Sequence, residues 1–227
     1  KPALYFLKIY GTGTTSKCDK YQKGDLRMYT GNYECLELFV KPDEGKKGSV
    51  LLKNVKESTT ETKEPKHIYG NWIKFPVSRN TEYEISTQDC TITFAYLSEC
   101  ENIMENGICV LDTTDNYKEM NKEEFLHFID TPYREQYHFS PVVNWNNDPN
   151  GLCWFKGYYH LFYQMNPFGQ EWNNMYWGHA ASKDMVHWTH LPVVLEPQEE
   201  ILDNLAIKGG AFSGSALPMG DEVYFYL

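Results

Sequence analysis

Asn-Trp-Asn-Asn-Asp-Pro-Asn-Gly, residues Asn144–Gly151, places one carboxylate, Asp148, between amide side chains and a proline. Taken alone, Asp-Pro-Asn-Gly reads as a turn, because proline fixes one dihedral and Asn and Gly tolerate the left-handed region. Its surroundings add a second reading. Phe139–Pro141 precede it, and strand-like segments follow at Leu152–Phe155 and Tyr158–Gln164. Lys156-Gly157 between those two segments is a hairpin signal. A carboxylate held still among amides and offered hydrogen bonds is what a nucleophile needs. Turn and site are compatible readings of one stretch, and the context favours the functional one.

Working outward, residues 131–227 carry five of the six tryptophans and further strand patterns at Met175–Ser182 and Val223–Leu227. Before residue 130 the chain is richer in lysine. Short strands are expected at Ala3–Tyr10, Tyr33–Val40, Ser49–Val55, Trp72–Val77, Glu82–Ser86 and Thr91–Ser98. Aromatic or β-branched residues alternate there with polar ones between Gly, Pro and Asn punctuation, the pattern of an antiparallel β-sandwich. Lys56–Lys66 is polar and reads as a mobile loop. Lys118–Ile129 has helical spacing of Met120, Phe125 and Phe128 and is expected to link two modules, residues 1–130 and 131–227.

A net charge of −10 argues against a nucleic-acid partner or an anionic membrane surface. No apolar stretch is long enough to span a bilayer. The six cysteines form no Cys-x-x-Cys pair, which argues against a zinc ribbon, and any disulfide pairing is open. No Asn-x-Ser/Thr sequon occurs.

The runs that follow Asp148 point in one direction. They are Tyr-His-Leu-Phe-Tyr-Gln (Tyr159–Gln164), Asn166-Pro167, Trp172, Tyr-Trp-Gly-His-Ala (Tyr176–Ala180), Ser-Lys-Asp-Met-Val-His-Trp (Ser182–Trp188), Leu-Glu-Pro (Leu195–Pro197) and Ala-Phe-Ser-Gly-Ser (Ala211–Ser215). With Tyr-His-Phe-Ser-Pro (Tyr137–Pro141) and Asn144–Gly151 they resemble, in order, glycoside hydrolase family 32, the invertases, inulinases and levanases. No family is assigned to the first 130 residues.

The resemblance implies an all-β chain: an N-terminal sandwich-like module followed by the first blades of a five-bladed β-propeller. It implies a retaining double displacement on terminal β-fructofuranosyl linkages of sucrose or fructans, with no cofactor and no metal. Asp148 would be the nucleophile. Asn147, Gln164, Trp172, Asn174, Phe212 and Ser213 would contact the sugar, amides taking its hydroxyls and the flat indole its C–H face. An extracellular or cell-surface location also follows from the resemblance.

Each of these residues also has a plainer reading: Gln164 as a strand-end amide, Trp172 as core, and Phe212-Ser213 as a turn. His179, His187 and His190 read as hydrogen-bonded residues at strand ends, since no metal-binding spacing accompanies them. Asp184 reads as the cap of a Ser-Lys-Asp-Met turn, and Glu199, Glu200 and Asp203 as a solvated loop.

A retaining glycosidase needs a second carboxyl group. The family's Arg-Asp-Pro motif does not occur, and Glu-Cys occurs only as Glu34-Cys35 and Glu99-Cys100, ahead of Asp148 and outside the stretch that carries the resemblance, so the chain is expected to be the N-terminal portion of a longer protein. Three questions stay open at this level. Sucrose, inulin and levan are not distinguished. Transfer to a sugar hydroxyl would use the same residues as hydrolysis, and a non-catalytic fructan-binding protein could keep the pocket. Arabinan- and xylan-cleaving relatives on the same propeller fit less well than fructosidases. The N-terminal module reads either as a polysaccharide binder, through exposed aromatics such as Tyr69 and Trp72, or as a spacer.

Overall fold

The computed structural model describes residues 25–111, 132, 134–135, 138–198 and 210–227. The strand expected at Ala3–Tyr10, the helix expected at Lys118–Ile129, and Cys18, Tyr133, Tyr137, Glu199, Glu200 and Asp203 lie outside these residues. The described chain is almost entirely β-structure and divides into two compact units.

The first unit takes the described residues up to 101 together with 109–111. Its strands are β1 (Asp25–Tyr29), β2 (Cys35–Pro42), β3 (Ser49–Asn54), β4 (Thr60–Lys63), β5 (Asn71–Pro76), β6 (Glu82–Gln88), β7 (Cys90–Ser98) and β8 (Cys109–Val110). They form two antiparallel sheets, ordered β1-β6-β3-β4 and β5-β2-β7-β8. Period-two alternation explains the layering. Val50 and Leu52 of β3 and Ile73 and Phe75 of β5 are buried, with half-buried or exposed neighbours between them. Together with Leu36, Leu38, Ile85 and Ile92 they form one apolar cluster drawn from both sheets. This is the expected sandwich, and truncating a side chain such as Phe75 to Ala would cost about 3–5 kcal/mol.

Two expectations for this unit are corrected. The stretch read as a mobile loop contains β4, which pairs with β3 from Val50↔Lys63 to Lys53↔Thr60. As an exposed edge strand of Thr, Glu and Lys it carries no apolar face to betray it. Tyr69 and Trp72 are half-buried instead of exposed. The Trp72 ring stacks on Phe39 with centroids 5.6 Å apart, and the Lys74 ammonium lies 3.6 Å from its centroid, so it presents no open aromatic platform. The disulfide question is answered for the described residues: Cys35, Cys90, Cys100, Cys109 and Cys153 form no disulfide with one another.

The second unit takes 102–108 and the described residues from 132 onward. It holds α1 (Ile103–Asn106), β9 (Trp145–Phe155), β10 (Tyr158–Asn166), β11 (Tyr176–Ser182), β12 (Trp188–Leu195), β13 (Ser215–Met219) and β14 (Glu222–Tyr226). Strands β9 to β12 make a four-stranded antiparallel meander with β9 at one edge, and β13 and β14 make a hairpin. Lys156 and Gly157 both have positive φ, 46° and 86°, which gives the tight turn expected there. Phe162 and Trp177 form one core cluster of this unit with Ala211, and Phe225 of the hairpin meets both rings edge-on, at 4.9 and 5.6 Å. Phe139 packs on Tyr163 at 4.9 Å and on Trp188 and His190, which gives the Phe-Ser-Pro run a structural role.

Candidate active site

Strand β9 begins at Trp145, so Asp-Pro-Asn-Gly lies inside a strand and is not a turn. The pairing with β10 explains the correction. Tyr163↔Pro149 is followed by Met165↔Asn146, so Asn147 and Asp148 together stand opposite the single residue Gln164. His160↔Cys153 is followed by Phe162↔Asn150, so Gly151 and Leu152 stand opposite Leu161. These are two β-bulges within six residues, and bulges re-aim side chains next to active sites. Gly151 supplies the left-handed conformation at the second bulge, with φ +50°, and a Cβ there would also press on Ala216 and Phe162. Pro149 is tolerated because β9 is an edge strand. Turn-forming residues therefore serve here to break a ladder twice without ending the strand.

Asp148 is exposed, and the Ser213 hydroxyl donates to its Oδ2 at 2.6 Å. Gln164 is buried, and its Nε2 donates to Ser213 Oγ at 3.2 Å. Three of the residues expected at the site are thus joined in one chain of hydrogen bonds.

Residues 210–214 are fixed from several sides. Gly210 bridges to Met175, and Ala211 N–H donates to Met175 O at 2.7 Å. The Trp177 indole N–H donates to the carbonyls of Ala211 and Phe212 at 3.1 and 2.9 Å. Gly151 N–H donates to Gly214 O at 3.3 Å, and Gly214 N–H to Asn150 Oδ1 at 3.4 Å. A Cβ on Gly214 would collide with Tyr226 O, so Phe-Ser-Gly-Ser needs its glycine for close approach.

The remaining expected contacts are positioned less directly. Asn147 is exposed beside Asp148 in the bulge. Phe212 is 47% exposed next to Ser213. Trp172 and Asn174 stand in the β10–β11 connection, which Asn166 organises by accepting from Phe168 N–H and donating to Glu171 O. Trp172 is 49% exposed, so the core reading of it fails. Asn174 is buried with φ +41°, one residue before the Met175 bridge to Gly210. Sequence reasoning missed Trp177 and Asn150. Trp177 is wholly buried, and only the pairing Gln164↔Trp177 reveals that its strand position faces the site.

The three histidines have separate surroundings. His160 Nε2–H donates to Phe155 O, which leaves its Nδ1 to accept from His179 Nε2–H at 2.9 Å. Burial lowers the pKa of His160 and, with His160 as neighbour, pushes His179 down to about 3. Burial, with Arg134 nearby, pushes His190 down to about 4, and its Nδ1 has no partner among the described residues. His179 and His190 sit within strands instead of at strand ends. His187 pairs with Asp184 at 2.6 Å. Asp184 caps its turn as expected, accepting from Val186 and His187 N–H, bonds that hold its pKa well below the usual range.

Residues 138–227 match the sequence profile described as Glycosyl hydrolases family 32 N-terminal domain. The levanase of Bacillus subtilis (strain 168) is 54% identical over 90 residues, 40% of this chain and 12% of that protein. The extracellular exo-inulinase of Aspergillus niger is 62% identical over 66 residues, 29% of this chain and 12% of that protein. An acid beta-fructofuranosidase of Vigna radiata var. radiata is 46% identical over 95 residues, 41% and 14% of the two chains. The chain therefore spans a small fraction of the length of the curated relatives it matches. A solved structure of a glycoside hydrolase family 32 protein from Bifidobacterium adolescentis superposes with TM-score 0.78 at 34% identity, over 87% of this chain and 32% of that one. That coverage exceeds what residues 138–227 supply, so the likeness extends into the first 130 residues, to which the sequence alone attached no family.

Proposed function

We propose that this chain, whose residues 138–227 match the family 32 profile, belongs to glycoside hydrolase family 32 and carries the nucleophile of a retaining glycosidase that cleaves terminal β-fructofuranosyl units from sucrose or fructans. The observation that carries this reading is the placement of Asp148 in a double-bulged edge strand, with its carboxylate held by Ser213. The names of the relatives, a levanase, an exo-inulinase and a β-fructofuranosidase, supply the substrate class.

In the first displacement an Asp148 oxygen forms a bond to the anomeric carbon while the glycosidic C–O bond breaks. The leaving oxygen takes a proton from a general acid, and water then releases fructose from the fructosyl-enzyme. No residue of the stretch 138–227 is assigned as that acid. Asn147 and Asn174 offer polar groups to the sugar, Gln164 and Ser213 line the same site through their bonds to each other and to Asp148, and Trp172 and Phe212 offer exposed apolar faces to its ring. Action outside the cell is consistent with the extracellular exo-inulinase among the relatives.

The test is Asp148→Asn in the complete enzyme, with sucrose, inulin and levan as substrates. A loss of kcat by several orders of magnitude, with the folded state retained, is expected. Retention of a tenth of the activity would remove Asp148 from the nucleophile's role.

A further inference from the structure

We infer that Ser213 is a positioning residue for Asp148, and that Gln164 sets the direction of its hydroxyl; this rests on the reading of Asp148 as nucleophile. The inference follows from the hydrogen-bonding capacity of three side chains. A carboxylate can only accept, and an amide nitrogen can only donate. The Ser213 hydroxyl has one proton and sits between the two, 2.6 Å from Asp148 Oδ2 and 3.2 Å from Gln164 Nε2. Its proton is therefore committed to Asp148, and one of its lone pairs to Gln164. A hydroxyl so committed cannot donate to a sugar oxygen, which sets it apart from an ordinary substrate contact.

The surrounding geometry supports a fixed arrangement. Gln164 is 3% exposed, so water does not compete freely for its amide. It is the single β10 residue opposite the bulge that contains Asp148, so the bulge and the relay occupy the same step of the ladder. The backbone on either side of Ser213 is held by the Trp177 indole at Phe212 O and by Asn150 at Gly214 N–H. A serine anchored on both flanks fixes the rotation of the carboxylate it touches. With Oδ2 occupied by a short charge-assisted bond, Oδ1 is left to attack.

The experiment is a double-mutant cycle in the complete enzyme with S213A, Q164E and the double variant, together with S213T. Q164E replaces the donor with an acceptor that competes for the Ser213 proton. We expect S213A to lower kcat by about 10- to 100-fold, the usual worth of a hydrogen bond to a charged group. KM, and the Kd for free fructose measured by titration calorimetry, should stay within about twofold of the parent, a split that marks loss of an orienting contact. S213T, which keeps the hydroxyl, should recover most of kcat. Q164E should lose kcat comparably, and the double variant should lose little more than either single one, because both act through one bond. Multiplicative losses, or a fructose Kd weakened tenfold in S213A with kcat intact, would overturn the inference and make Ser213 a sugar contact. Asp148→Asn is run beside them: full activity there would overturn the nucleophile reading itself, whatever the cycle shows.

Discussion

The indole N–H of Trp177 donates to the carbonyl oxygen of Phe212 at 2.9 Å, tying a fully buried strand residue to an exposed segment that flanks Ser213, the hydrogen-bond partner of Asp148. Trp177 also donates to Ala211 O, packs on Phe162 and meets Phe225, so core packing and site geometry pass through one side chain.

Trp177→Phe should separate these duties. It removes the N–H and some volume while keeping an aromatic ring, at a cost of about 1–3 kcal/mol in urea unfolding. Residues 211–213 lose their anchor, so kcat/KM of the folded variant should fall about tenfold or more. Unchanged kinetics in the folded variant would show that the tether is dispensable for Ser213.

Trp172→Ala should behave in the opposite way. The side chain is 49% exposed, so the melting temperature should move little, as for most surface substitutions. Loss of a flat apolar wall should lower kcat/KM by about tenfold or more. Melting temperature and kinetics measured on one sample decide the matter, and normal kcat/KM would take Trp172 out of the pocket.

Gly214→Ala should destabilise the second unit. The added methyl would meet Tyr226 O and lie 3.1 Å from the Trp177 ring, so backbone must shift. A loss of about 1–3 kcal/mol is expected, the usual range for overpacking. A wild-type unfolding midpoint would show that the β13–β14 hairpin moves aside freely.

Stability should fall as the solution is acidified from about pH 6.5. Unfolded histidines bind protons near that pH, whereas folded His190 and His179 are pushed down to about 4 and about 3. Between those limits the unfolded state binds more protons, so stability rises with pH and is lost as pH drops. Each histidine adds at most about 1.4 kcal/mol per pH unit to the slope, less because both rings keep some solvent contact. His179→Gln should flatten the slope of stability against pH between about 3 and 6.5; an unaltered slope would mean that His179 titrates normally.

Much of the site was legible because its residues are chemically conspicuous. Asp148, Gln164 and Ser213 stand out as polar groups in aromatic or glycine-rich runs, and the structure links all three. The strand that carries Asp148 was not legible in the same way. Residues chosen to form two bulges have the composition of a turn, and only cross-strand pairing with β10 tells the two apart. Strand β4 was hidden for a different reason, since an exposed edge has no apolar alternation to show. Strands β12 and β13 were missed because Pro192 and Pro218 interrupt their patterns, although both segments pair along antiparallel partners. Trp177 was invisible as a site residue because its contribution is an N–H turned to backbone 34 and 35 residues ahead.

The sequence separation of 65 between Asp148 and Ser213 also sets an order in time. At synthesis rates of about 5–20 residues per second, Ser213 leaves the ribosome roughly 3–13 s after Asp148. The β9–β10 hairpin needs only a two-residue connection and closes within microseconds. Until Ser213 is synthesised the Asp148 carboxylate has no such partner, and docking of the Gly210–Gly214 segment is the event that completes the pair. The Asp148–Ser213 bond is a late product of folding, formed only when a distant and later-synthesised stretch of backbone arrives.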